Sequence, residues 1–130
     1  MSRSTLHLSF LYILVTTIAM AFVTNTTFAE PLKELTLTGK NYCVGCSLKK
    51  AEGAAAQCSI YGHKHALKVE KAVDSKGKEI SELKGATLHY LENDASVELF
   101  KGKKYHGENV SIIGNVHLDE RVVDVKGVEH

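Results

Sequence analysis

The chain has 130 residues, 16 of them basic and 15 acidic, for a formal net charge of +1. So even a balance supplies no basic field for a phosphate backbone, and there is no tryptophan to stack on bases, which argues against nucleic acid as a partner. Three cysteines cannot all pair, so one thiol is left for a metal, a partner or a covalent attachment.

Residues 1–29 read as a secretory signal peptide. Arg3 gives a short basic start, Leu6 to Val23 is mostly apolar, and Thr27 and Ala29 occupy the small-residue positions before a cut between Ala29 and Glu30. An uncleaved anchor is the competing reading, because about 18 apolar residues is near the lower limit for a span. His7, Ser9 and two threonines weaken it, so no stable membrane insertion is expected after cleavage. Removing Arg3 with the signal leaves 15 basic against 15 acidic residues in the mature chain. Residues 30–130 are one domain's worth of chain, expected in the periplasm or secreted. A domain of this size can bury a workable core without cross-links, so the cysteines are not obviously needed as staples.

In residues 30–41, Leu35 and Leu37 alternate with Glu34, Thr36 and Thr38, the period of a half-buried strand, and Gly39 inside it suggests a bulge or a bend. From Cys43 to Gln57 the alternation stops. Lys49 to Ala56 has the composition for one helical turn broken by Gly53, within what reads as a long loop. In residues 63–73 alternation returns, with His63, His65, Leu67 and Val69 on one face and Lys64, Ala66, Lys68 and Glu70 on the other. Asp74 to Lys78 is a turn, and Ile80 to Lys84 is ambiguous. Ala86 to Leu91 is a third strand. Asn93 is placed to cap a helix that carries Val97, Leu99 and Phe100 and ends at Gly102. Two further strands, Asn109 to Leu118 and Arg121 to Val128, are joined at Asp119-Glu120. The order is strand, long loop, strand, strand, helix, strand, strand. It predicts a mainly β fold, a small five-stranded OB-like barrel with one short helix between strands 3 and 4. A sandwich or an incomplete barrel shares that order.

The chemistry is concentrated in residues 42–67, which hold Cys43, Cys46, Cys58, His63 and His65. Thiolate sulfur and imidazole nitrogen are the donors preferred by zinc and copper. CxxC alone is shared by metal sites, redox motifs and disulfides; a third cysteine twelve residues on and an HxH beyond it sharpen the signal. Geometry limits which histidine can join. On one straight strand Cys58 and His63 would lie about 17 Å apart, so the chain must turn at Tyr61-Gly62 for either imidazole to reach the sulfurs. His89, His106, His117 and His130 are scattered and read as surface or strand residues.

The segments C-V-G-C-S-L-K-K, G-A-A-A-Q-C and G-H-K-H-A-L resemble those of a family of small exported bacterial proteins carrying CxGCxLKK…AxC…GHxHAL. Its tail, a short helix, a GxxVxIxG strand and a valine-rich last strand, is similar to Glu92–Phe100 and Gly107–Val116 here. The resemblance implies export, an OB-like β fold and a cysteine–histidine site.

Three functions stay open. The first is an exported, non-enzymatic protein binding zinc or copper through the cysteines and His63 or His65, with the metal ion and another exported protein as partners. The second is an accessory module whose cysteines form a structural disulfide. The third is a thiol–disulfide redox protein. Ser47 stands where covalent haem attachment needs a histidine, and no third group is evident for a catalytic Cys–His pair.

Overall fold

The computed structural model describes residues 29–53, 55, 58 and 62–129. The signal-peptide reading of the N-terminus falls almost wholly outside them, as do Tyr61 and His130. Among the described residues no helix is long and apolar enough to cross a membrane.

Five strands carry the fold: β1 (Leu32–Cys43), β2 (His65–Val73), β3 (Thr87–Tyr90), β4 (Asn109–His117) and β5 (Val122–Glu129). β1 pairs antiparallel with β2 on one side and β4 on the other. β2–β3 and β4–β5 are also antiparallel, and a short parallel pairing of β3 with β5 completes the order β1-β2-β3-β5-β4. The inward positions of these strands make the core, with Leu35, Leu37, Leu67, Leu88, Ile112 and Val123 at most 2% exposed. Burying each side chain of this size is worth about 1.5–3 kcal/mol, before the chain entropy that opposes it.

Among the described residues two α-helical segments, each longer than a single residue, accompany the strands. α1 (Val44–Glu52) follows β1 without a break, and α2 (Val97–Phe100) lies between β3 and β4. The nine-residue α1 replaces the long loop expected there. It buries none of its residues, so it lacks the apolar stripe by which helices are recognised in sequence. Gly53 closes it in the left-handed conformation, with its N–H donating to the Lys49 carbonyl. Lys49 and Lys50 lie in its last turn, where cations favour the dipole. The helix expected after Asn93 is shorter than its sequence suggests. Asn93 does cap the turn, its Oδ1 accepting from the Ser96 N–H at 2.9 Å while Ser96 Oγ accepts from the Asn93 N–H at 3.0 Å. Leu99 is the residue of α2 that enters the core, whereas Val97 is 38% exposed.

The interruption expected at Gly39 is a bulge. β1 and β2 pair Thr38 with Lys71 but Gly39 with Val69, so Glu70 is an extra residue on β2. The buried positions of β2 change phase there: His65, Leu67 and Val69 are inward, then Ala72. Gly39 is required because the β2 backbone presses against it. A Cβ at this position would stand 2.1 Å from the Lys68 carbonyl oxygen. Gly39→Ala is therefore expected to lower unfolding free energy by about 1–3 kcal/mol, the usual cost of overpacking, read from urea denaturation.

In the β2–β3 connection Asp74 Oδ1 accepts from the backbone N–H groups of Lys76 and Lys78, at 2.8 and 2.9 Å. The Lys78 amide chiefly holds the carboxyl below its ordinary range; desolvation opposes it, and the Lys76 amide adds to the lowering. A carboxyl depressed in the folded state contributes stability above its unfolded pKa of about 3.9, lost as pH falls through the folded value. Asp74→Asn should lower the thermal midpoint at neutral pH, and the difference from wild type should shrink in acid; an unchanging difference would mean that charge plays no part.

Candidate metal centre

Cys43 is the last residue of β1 and the N-cap of α1. Its side chain is 5% exposed at one end of the inward face, directly across from His65 in the β1–β2 register. Cys46 lies one turn into α1, and its half-exposed side chain is on the same side of the helix start as Cys43. Gly62 has φ 79°, a backbone conformation open to glycine, and its neighbour His63 lies with Nδ1 beside Cys46 Sγ.

Cys43 Sγ is 3.5 Å from Cys58 Sγ, and Cys46 Sγ is 3.3 Å from His63 Nδ1. All four donor atoms lie within 4.8 Å of one another. A tetrahedral zinc with Zn–S of about 2.3 Å and Zn–N of about 2.0 Å needs donor separations of about 3.5–3.8 Å. The group brackets that range, so the donors surround a volume of ionic size. No disulfide is formed: all three cysteines are free thiols, and the closest sulfur pair is well beyond the covalent distance of about 2.05 Å.

His65 is turned elsewhere. Its Nδ1 lies 2.9 Å from the Leu99 carbonyl, which can only accept, so Nδ1 carries the proton. Its Nε2 is 2.6 Å from His106 Nδ1 and accepts from it. Both nitrogens are committed, which leaves His65 as a support beside the cluster. Burial pushes its imidazole below the ordinary range, and His106 and His63 push the same way while the Leu99 carbonyl opposes them. The neutral form that this hydrogen-bond pattern requires is thus the favoured one.

His106, read from sequence as a surface or strand residue, belongs to this group. Its ring centroid is 4.7 Å from that of His65 and 5.1 Å from that of His63, both edge-on. It reaches the site on the loop after α2, far away in the chain, and no local spacing announces it. Asn41 holds that loop. Fully buried, it donates from Nδ2 to the carbonyls of Leu99 (2.8 Å) and Tyr105 (3.0 Å) and accepts from the Tyr90 hydroxyl at 3.0 Å. Burial raises the Tyr90 phenol far above its usual pKa and keeps it a donor.

The thiols differ electrostatically. Desolvation alone would raise Cys43, but the Cys46 backbone amide, His63, Cys58 and the Cys46 thiol outweigh it and bring Cys43 down to about 6. Cys46 is pushed up to about 11, by Cys58 first and then Cys43, with desolvation adding to both. One thiolate forms readily and its presence discourages the next, so a cation is what would let all three sulfurs ionise together. Beside the cluster lies a cavity of about 590 Å³ whose walls include Cys43, Cys46 and His106.

Comparison of the chain with protein-family models, curated proteins and solved structures gives no match.

Asn41→Ala should orphan the Tyr90 hydroxyl, at about 1–3 kcal/mol for a group left unsatisfied, and remove one of the two donors from each of the Leu99 and Tyr105 carbonyls. Amide exchange should then quicken across residues 101–108 well before β4 and β5 are affected; uniform quickening over the whole domain would show that Asn41 does not hold this loop specifically.

Proposed function

We propose that this chain is an exported, non-enzymatic metal-binding protein in which Cys43, Cys46, Cys58 and His63 hold a d¹⁰ ion, zinc(II) or copper(I), at one end of an OB-like barrel. The observation that carries the reading is the convergence of three sulfurs and one imidazole nitrogen within 4.8 Å. Zinc accepts this set as a four-coordinate Cys₃His site, and copper(I) accepts two or three of its thiolates. The barrel assignment is supported by the circuit of strand pairings and by a helix between β3 and β4. Export follows from the N-terminal pattern and from the family resemblance. The exposure of His63 and the surface position of α1 favour an ion that can be exchanged over one sealed in the core.

A thiol–disulfide role is the second reading. It is favoured by the position of Cys43 and Cys46 at the first turn of a helix and by a Cys43 thiol that ionises near neutral pH.

Competition titration of the reduced chain with zinc and with copper(I) should give one equivalent of bound ion and block alkylation of all three thiols. Cys58→Ser and His63→Ala should each weaken binding by more than the roughly 10–100-fold typical of outer-shell changes, whereas His65→Gln should fall within that span. If neither ion binds the reduced chain, or if oxidised and reduced forms interconvert at the potential of a glutathione buffer while metal has no effect, the redox reading takes its place.

A further inference from the structure

The cavity beside the cysteines is lined on one wall by Lys40 from β1 and by Lys68 and Glu70 from β2, and on another by Lys50 from α1. Lys40 and Lys68 are direct partners across the β1–β2 ladder. Like charges directly opposite one another on neighbouring strands repel, and sequences generally avoid them or place a carboxylate between. Here neither lysine is within ion-pair distance of an acidic group among the described residues, Glu70 included. Lys50 adds a third cation from the helix, and the Ser47 side of α1 and His106 bring further hydrogen-bonding groups to the rim.

We propose that this cavity binds a small polyanion, a phosphate or a multicarboxylate, held by Lys40, Lys68 and Lys50. Its volume of about 590 Å³ is within the span of small-ligand sites, about 300–1,000 Å³. A concave site with three ammonium groups against one carboxylate selects for negative charge, in a chain whose overall charge is close to neutral. The unpaired cations are therefore a local concentration of positive charge. A ligand carrying two or three negative charges would offset the Lys40–Lys68 repulsion as it binds. The site does not depend on a metal being present, although its contact with Cys43 and Cys46 would bring the bound anion alongside any ion held there.

The test is a nitrogen-15 NMR titration of the reduced, metal-stripped chain with inorganic phosphate and, separately, with propane-1,2,3-tricarboxylate, which carries three carboxylates. Saturable shifts should appear at residues 40, 50, 68 and 106 with at least one probe, and the stronger of the two identifies the anion class. The double variant K40Q/K68Q should weaken binding about tenfold or more, which corresponds to about 1.4 kcal/mol, and K50Q should weaken it less. K78Q, in the distant β2–β3 turn, should leave it unchanged. Added salt should weaken binding to the wild type more than to the double variant. Absence of saturable shifts with both probes overturns the proposal, as does equal binding by wild type and K40Q/K68Q, or by wild type and K50Q should the double variant not fold. Because no metal is present, the outcome is independent of whether the cysteine cluster holds one.

Discussion

The extra residue at Glu70 governs where the chemistry falls. Upstream of it β1 pairs Thr38 with Lys71, and that register continued unbroken would set Cys43 opposite Ala66. The bulge shifts the register by one, so Cys43 meets His65 and Lys40 meets Lys68. Side chains alternate between faces along a strand, so a one-residue slip would exchange the inward and outward sets. With the bulge, His65 points inward beside Cys43; without it, Ala66 would take that place and His65 would face solvent. Gly39 is the counterpart of this arrangement, because only a residue without a side chain lets the bulged strand approach so closely. The bulge thus sets both the support of the cysteine cluster and the lysine pair on the outer face of the same ladder.

The inward end of that ladder is polar and fully satisfied. Leu99 O accepts from both Asn41 Nδ2 and His65 Nδ1, so the short helix α2 is tied to β1 and β2 by one carbonyl. Asn41 also holds the Tyr105 carbonyl, next to His106, and His106 returns to His65. No buried side-chain nitrogen or oxygen among the described residues lacks a partner. A buried network of this kind is expensive if incomplete and orienting if complete. Here it fixes the tautomer of His65 and, through that, which nitrogen of His106 carries the proton.

The strands were legible because each has one buried face: Leu35 and Leu37 in β1, Leu67 and Val69 in β2, and the valines of β5 repeat with a period of two. Gly39 and Asn93 were legible for a different reason, since a bulge and a cap each ask for a particular residue type. Helix α1 was not, because all nine of its residues stay at the surface and leave no apolar rhythm. The cysteines and the need for a turn at Gly62 could be read from spacing, which also limited the fourth donor to His63 or His65. Choosing between those two needed the register of the bulge and the Leu99 carbonyl, neither of which is local in sequence. His106 was missed on the same ground: its partner His65 lies 41 residues away.

The two assemblies share a wall, and their electrostatics are complementary. A metal site of three thiolates and a neutral imidazole carries net negative charge with either zinc(II) or copper(I), yet in the metal-free state Cys43 is inclined to ionise and Cys46 is not. Starting from a cluster in which Cys43 alone is ionised, zinc(II) with two further deprotonations leaves the net charge unchanged, whereas copper(I) on three thiolates makes it one unit more negative, a few side chains from the three lysines of the cavity. In a partly solvated setting unit charges interact by about 4 kcal/mol at 4 Å and proportionately less farther away. A centre loaded with copper(I) would be stabilised by the lysines, and it would also weaken their hold on a separate anion. Occupancy of the two sites would then be anticorrelated, and by linkage the coupling must be equal in both directions. A free anion in the cavity lowers affinity for metal by the same factor by which bound metal lowers affinity for the anion. An anion that is itself the metal's ligand escapes this opposition, because it brings charge and cation together.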